Sequence, residues 1–220
     1  MLYIVATPVG NLQDITLRAL ETLRAVDKIY AEDTRRTRIL LDTYEIKKPL
    51  ESLHHHSSPA KLEQVIGELT DGLEIAYVTD AGTPGVADPG GILVQKALEH
   101  QIQVVPLPGS SAVTTLLSAA GLPANSFWFA GYVPTKKGRQ TFVKKVIDAD
   151  ETVVLFETSP RLVKFLEQLI ELGGETLTVV IGRELTKQFE EVRRGLPQEL
   201  LDWYRQNPPK GELVIAVAVG

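Results

Sequence analysis

The sequence predicts an α/β protein made of two tandem α/β domains with a cleft between them, and three observations carry that prediction. Short β-branched, apolar runs alternate with stretches whose apolar residues recur at helical spacing. Several of these runs end in loops dense in proline, glycine and charge, at residues 7–11, 79–90 and 107–112. Prolines and glycines cluster again between Pro106 and Gly121, which divides the 220 residues into halves of ordinary domain size, 1–112 and 113–220.

Hydrophobic residues make up 44% of the chain and charged residues 23%, so a full core needs no covalent staples. The chain has no cysteine, which excludes a disulfide framework, a cysteine nucleophile and a thiolate zinc site. No apolar run approaches ~20 residues, and Met1 leads straight into a strand-like segment. The expectation is therefore a cytoplasmic protein with neither a membrane span nor a secretory signal. A net charge of −5 argues against a chain that coats nucleic acid non-specifically, but it leaves room for a local basic surface.

Taken in order, residues 2–6 read as a strand and Pro8 and Gly10 break it. Leu17, Leu20, Leu23 and Val26 then fall at helical spacing. Residues 28–31 form a second strand ending in Glu32, Asp33 and Arg35, ahead of a helix that Asp33 or Thr34 is suited to cap. Residues 50–53 are a short strand. Neighbouring histidines at 54–56 point to opposite faces of an extended chain, so no metal site is expected there. Ser58 and Pro59 open a helix to about Leu69.

A buried strand at 73–78 precedes the loop around which the chain is organised, residues 79–90, where three glycines and two prolines favour a stiff, closely approached backbone. Asp80 and Asp88 add carboxylates, and the plainer reading is a long connection capped by Asp88 with Pro89 in the first helical turn. A helix over 91–100, a strand over 101–105 and a second Pro/Gly loop follow, the loop opening a helix of small residues to Ala120 whose N-terminal amides suit an acceptor. In the second half the same alternation continues: strands at 126–131, 152–156, 177–181 and 211–220, and helices after Arg139, from Ser159 to about Glu171, and over 198–204. Lys136, Lys137 and Arg139 form a basic loop with Lys144 and Lys145 beyond it, and Arg183 to Lys187 place charge at another strand end.

Tyr3 to Thr16, Ala31 to Arg35, Thr79 to Pro84 with Asp88 to Gly90, Val105 to Gly109, and Arg183 to Lys187 together resemble the tetrapyrrole-methylase family. Within it they are similar to the branch that methylates the 2'-hydroxyl of a cytidine in 16S rRNA. The resemblance implies S-adenosyl-L-methionine as methyl donor, bound in a cleft between the two α/β domains, with the small ribosomal subunit's 16S rRNA as substrate and a homodimer as the working form. It implies donor contacts from Pro8, Asp80, Ala81, Gly82, Val86, Ser111, Ala112, Phe156 and Glu184.

A ribose hydroxyl is a poor nucleophile, so positioning and a base are needed. Glu32 and Asp33 are the candidates for base or hydroxyl-orienting group, with Arg35, Arg183 and Lys187 holding phosphate or tuning a neighbour; salt bridges that brace the cleft are the structural alternative. Lys136, Lys137, Arg139 and Arg183 are the expected RNA contacts. Three departures stand out: Ser110 where the family usually has proline, Ser57 and Ser58 after the histidines, and an end at Gly220 where many members continue. If that further segment helps grip the subunit, either weaker RNA binding or a longer native chain than these 220 residues is expected. A tetrapyrrole C-methyltransferase and a non-catalytic nucleotide-binding module are the competing readings.

Overall fold

The computed structural model describes residues 1–54, 57–88 and 90–218, and the chain divides into two compact units, Met1–Ser111 and Ala112–Gly220. His55, His56 and Pro89 lie outside the described residues, and with them the histidine run's last two members and the expected first-turn proline.

The first unit is a five-stranded sheet in the order β3-β2-β4-β1-β5, with every pairing parallel. Its strands are β1 (Leu2–Val5), β2 (Lys28–Ala31), β3 (Leu50–Ser52), β4 (Ile75–Val78) and β5 (Val104–Leu107). Central β4 is buried at all four residues, as a strand covered on both faces must be. On one face α1 (Leu17–Ala25) and α2 (Thr34–Thr43) contribute Leu20, Leu23, Leu40 and Leu41 to a core with Val5 and Val78. On the other, α3 (Pro59–Thr70) and α4 (Gly90–Glu99) contribute Val65, Ile66, Leu69 and Leu93 to a core with Ile4 and Tyr77. The caps follow the sequence: Thr16 accepts from the Ala19 amide, and Ser58 accepts from Lys61 with Pro59 opening α3.

The β5 strand begins three residues and ends two residues later than the expected 101–105. Its Pro106 is paired opposite Ile4, because β5 is an edge strand and the missing proline N–H faces no further neighbour.

The second unit holds α5 (Ala112–Ala120), β6 (Phe127–Tyr132), α6 (Arg139–Ile147), β7 (Thr152–Thr158), α7 (Ser159–Glu171), β8 (Thr178–Arg183), β9 (Glu191–Gly195), α8 (Pro197–Gln206) and β10 (Glu212–Ala218). Its sheet, in the order β6-β7-β10-β8-β9, is mixed: β6 and β7 are parallel, β10 runs antiparallel to both β7 and β8, and β9 returns antiparallel on β8. The simple alternation expected for this half thus gives way to a β8–β9 hairpin beyond the charged strand end at Arg183 to Lys187. Helix α5 packs with Val154, Val180 and Val214 on one face, and α6, α7 and α8 close the other through Val143, Phe165, Leu169 and Leu201.

Candidate functional site

Strands β1 and β4 are neighbours, yet the helices that follow them, α1 and α4, lie on opposite faces of the sheet. This divergence opens a crevice at the carboxyl ends of the two strands, the place where open α/β sheets bind ligands. Three loops are sewn together around it. The Thr7 amide donates to Gly82 O and the Gly82 amide to Thr7 O, each at 2.9 Å, and Thr7 Oγ1 donates to Thr79 O at 3.1 Å. Thr83 Oγ1 donates to Ser110 O at 3.2 Å, and Ser110 Oγ donates to Asp14 O at 3.1 Å. Ser110 thereby ties the post-β5 loop to the post-β1 loop. Gly109 sits so close to β1 that a Cβ there would lie 2.8 Å from the Ala6 Cβ.

The two aspartates of the organising loop do different work. Asp88 is an internal brace: its carboxylate accepts from the amides of Gly85 (2.8 and 2.9 Å), Val86 (3.2 Å) and Gly90 (2.7 Å). Between them Ala87 is held at φ +65°, a conformation uncommon outside glycine. Asp80 faces the crevice. Its Oδ2 is 3.6 Å from Arg36 Nε, whereas its Oδ1 is buried and has no hydrogen-bond partner, as is Thr79 Oγ1 beside it. Both residues line a cavity of about 210 Å³ whose walls include Pro8, Leu12, Arg36 and Leu40. A buried acceptor without a donor carries a desolvation cost that a ligand's hydroxyl or amine would relieve.

The buried Tyr77 phenol is pushed well above its ordinary value, first by burial and then by the charges of Asp88, Glu32 and Asp80. All three carboxylates are near enough to act on the Tyr77 phenol, and Asp80 is the one among them that lines the cavity. The expected residues Pro8, Asp80 and Gly82 come together here. Ala81 and Val86 are exposed on the same loop, and Ser111 closes the unit half-buried.

At the end of β2, Glu32 is half-buried and its amide donates to Val78 O at 3.3 Å, holding it against the β4 rim. Asp33 is the N-cap of α2, accepting from the Arg35 amide at 2.9 Å and from the Arg35 guanidinium at 3.0 and 2.7 Å. That guanidinium, and then the amide, hold the Asp33 carboxyl down at about 2. The Arg35 side chain is 90% exposed. The cap-and-ion-pair alternative describes Asp33 and Arg35, and it is Arg36, one residue on, that reaches Asp80. The sequence reading missed Arg36 because successive residues of a helix point about 100° apart and nothing in the run of arginines says which one faces the loop.

In the second unit, Phe156 is half-buried and packs edge-on against Phe129 at 5.1 Å and beside Tyr132 at 5.2 Å, while Ala112 starts α5. Glu184 Oε1 accepts from Lys187 Nζ (3.0 Å) and the Glu212 amide (2.9 Å), and Lys187 also reaches Glu212 Oε2 at 2.8 Å. Burial alone would raise the Glu184 carboxyl, but the Glu212 amide and the Lys187 ammonium outweigh it and the net shift is downward. Lys187, which burial would lower, is raised by Glu212 and Glu184. Glu184 and Thr186 sit at φ +48° and +66°, so this loop is strained and locked by its own charges. The bracing alternative therefore fits Lys187. Arg183 is loosely paired with Glu191 at 3.9 Å.

Of the expected RNA contacts, Lys136 and Lys137 are exposed, but Arg139 is only 4% exposed and turns into the protein. Its guanidinium is drawn to the fully buried Glu157 carboxylate, 2.9 Å away, which corrects its placement on an exposed patch. Among the described residues no group of histidines and carboxylates is disposed to hold a metal ion, and no helix is long and apolar enough to cross a membrane.

Residues 1–201 match the family model described as Tetrapyrrole (Corrin/Porphyrin) Methylases. The chain is 48% identical over 219 residues to a Mesorhizobium japonicum protein named ribosomal RNA small subunit methyltransferase I, covering 98% of this chain and 74% of that one. It is 47% identical to the Escherichia coli O157:H7 protein of the same name (98% and 77% covered) and 40% identical to the Thermotoga maritima one (99% and 97% covered). Among solved structures it resembles a diphthine synthase, with a TM-score of 0.77 at 18% identity and 99% and 89% covered. It also resembles a Thermus thermophilus uroporphyrin-III-C-methyltransferase, with a TM-score of 0.67 at 21% identity and 98% and 93% covered.

Proposed function

As the chain belongs to the tetrapyrrole (corrin/porphyrin) methylase family, we propose that it methylates the ribose 2'-hydroxyl of a cytidine in 16S rRNA of the small ribosomal subunit, with S-adenosyl-L-methionine as donor. Family membership alone would admit a tetrapyrrole substrate. The choice of RNA is supported by the identities: 40–48% to proteins named for the small-subunit rRNA, against 21% to the tetrapyrrole methyltransferase, a level that speaks for the fold alone.

The observation that carries the reading is the unpartnered, buried Asp80 Oδ1 at the β1/β4 crevice. The donor carries hydroxyl and amine groups and a sulfonium charge, and the residues present fit it: the Asp80 carboxylate with an acceptor lacking a donor, and a stiff loop pinned by Asp88. Asp80 would take its polar groups, with Pro8, Ala81, Gly82 and Val86 shaping the wall. When bound, S-adenosyl-L-methionine supplies an electrophilic methyl group. Glu32, not Asp33, is the residue we assign to orient the hydroxyl and accept its proton, since a carboxylate held at about 2 is a feeble base at neutral pH. Arg36 steers the Asp80 carboxylate and offers a cation to the RNA backbone. The protein would act in the cytoplasm as a homodimer.

The test is transfer of labelled methyl to small subunits lacking the modification, with a tetrapyrrole precursor in parallel. Alkali-resistant label in the 16S rRNA supports the reading, and label confined to the tetrapyrrole overturns it.

A further inference from the structure

A second cavity, of about 410 Å³, lies at the start of α6, and its lining contains no acidic residue. Lys136 and Lys164 stand at it, together with the hydroxyls of Thr135 and Thr141. Neither lysine has an acidic partner among the described residues, although the chain as a whole carries a net charge of −5. Helix α6 is entered through Gly138 at φ +84°, and no side chain caps its first turn, although the Arg139 amide donates back to Lys136 O at 3.3 Å.

Arg139 forms the inner wall. Its Nε donates to Gln168 Oε1 at 2.6 Å, and its Nη1 donates to Pro134 O at 3.2 Å and Glu157 Oε2 at 2.9 Å. Nη2 shares the Nε edge of the planar guanidinium, the edge that meets Gln168 of the cavity lining, and it is buried without any partner. The charges behind the wall do not balance either. Glu157, fully buried, is shared between Arg139 at 2.9 Å and Arg161 at 3.2 Å, so one carboxylate serves two guanidinium groups. Positive charge in excess of the one buried carboxylate, an unused donor, two lysines without a carboxylate and a helix start without a side-chain cap all ask for the same thing, an anion with several acceptor oxygens.

We infer that this cavity is a phosphate site that seats one backbone phosphate of the RNA substrate, gripped by Lys136 and Lys164 with Arg139 as the positioning residue behind them. The inference rests on the proposed rRNA substrate and adds to it a specific anchor in the second unit. It also turns the expected surface patch into a built site: Lys136 stays a contact, Arg139 acts through the wall, and Lys164, distant in sequence, joins them because α7 packs beside α6.

The experiment measures binding of unmodified small subunits by the full chain across a potassium chloride series. It compares wild type with Lys136→Ala/Lys164→Ala, and with Lys144→Ala/Lys145→Ala, which removes equal charge from the other end of α6. Loss of one phosphate contact should flatten the slope of log affinity against log salt by about 0.7 to 0.9. At low salt the cavity variant should bind at least tenfold more weakly, while the control loses less than threefold. Wild-type affinity and slope in the cavity variant, or equal losses in both variants, would overturn the site. Inorganic phosphate is the second probe: if it raises the melting temperature of wild type but not of the cavity variant, while subunit affinity stays equal in the two, the ligand is a small free anion and the RNA assignment fails. Methyl transfer by wild type, scored in the same preparations, reports separately on the reaction proposed above.

Discussion

Replacing Glu157 with glutamine tests the charge arrangement of the second unit without changing its shape. The carboxylate is fully buried, and both of its oxygens are in use: Oε1 accepts from the Thr158 amide at 2.8 Å and from Arg161 Nε at 3.2 Å, and Oε2 accepts from Arg139 Nη1 at 2.9 Å. An amide keeps one oxygen, which belongs where the two donors converge, and its NH₂ then faces Arg139, donor against donor. Two arginines, one of them 5% exposed, lose the only carboxylate each pairs with among the described residues. Breaking a buried ion pair by removing one partner costs about 3–5 kcal/mol, so the unfolding equilibrium should shift between roughly a hundred- and several-thousand-fold. Both tryptophans, Trp128 and Trp203, lie in this unit, so fluorescence in a urea titration reads it alone. With a slope of about 2 kcal/mol per molar urea, the midpoint should fall by about 2 M. A shift of less than about 0.5 M would refute the claim that Glu157 holds the two guanidinium groups in place.

Three further outcomes follow from the first unit. The Asp33 carboxyl should titrate at about 2 when followed by carbon NMR, and Arg35→Ala should raise it towards the ordinary value; a midpoint above 3 in the wild type would contradict the pairing. Because the folded value is the depressed one, this group's contribution to stability is complete above roughly pH 4 and is lost as pH falls through about 2. Gly109→Ala should destabilise the chain by about 1–3 kcal/mol, since its Cβ would collide with Ala6. Gly67→Ala should instead raise the melting temperature, because Gly67 lies inside α3 with open space around it and alanine is favoured there by about 0.5–1 kcal/mol.

Much of the fold was legible because its strands are apolar and because α1, α2 and α3 are capped by Thr16, Asp33 and Ser58, residues that cap well. The failures have physical causes. β9 reads Glu-Val-Arg-Arg-Gly, an edge strand exposed enough to be polar, and only its pairing with β8 makes it a strand. Pro106 looked like a terminator, but an edge position tolerates it. At the site, the organising loop's importance was written in its prolines and glycines. The division of labour between Asp80 and Asp88 was not, since it depends on which carboxylate the folded loop turns onto its own amides. Arg139 looked like a surface cation because Glu157 and Gln168 surround it only through β7 and α7, well downstream in the chain.

The central proposal is that the β1/β4 crevice holds the methyl donor through Asp80. Calorimetric titration of S-adenosyl-L-methionine into wild type and Asp80→Asn tests this directly, with circular dichroism to show that both are folded. A charged acceptor's hydrogen bond is worth about 1.5–3 kcal/mol, so Asp80→Asn should bind the donor roughly ten- to a hundredfold more weakly than wild type. Equal affinity in the two proteins, or no binding by wild type, would contradict it.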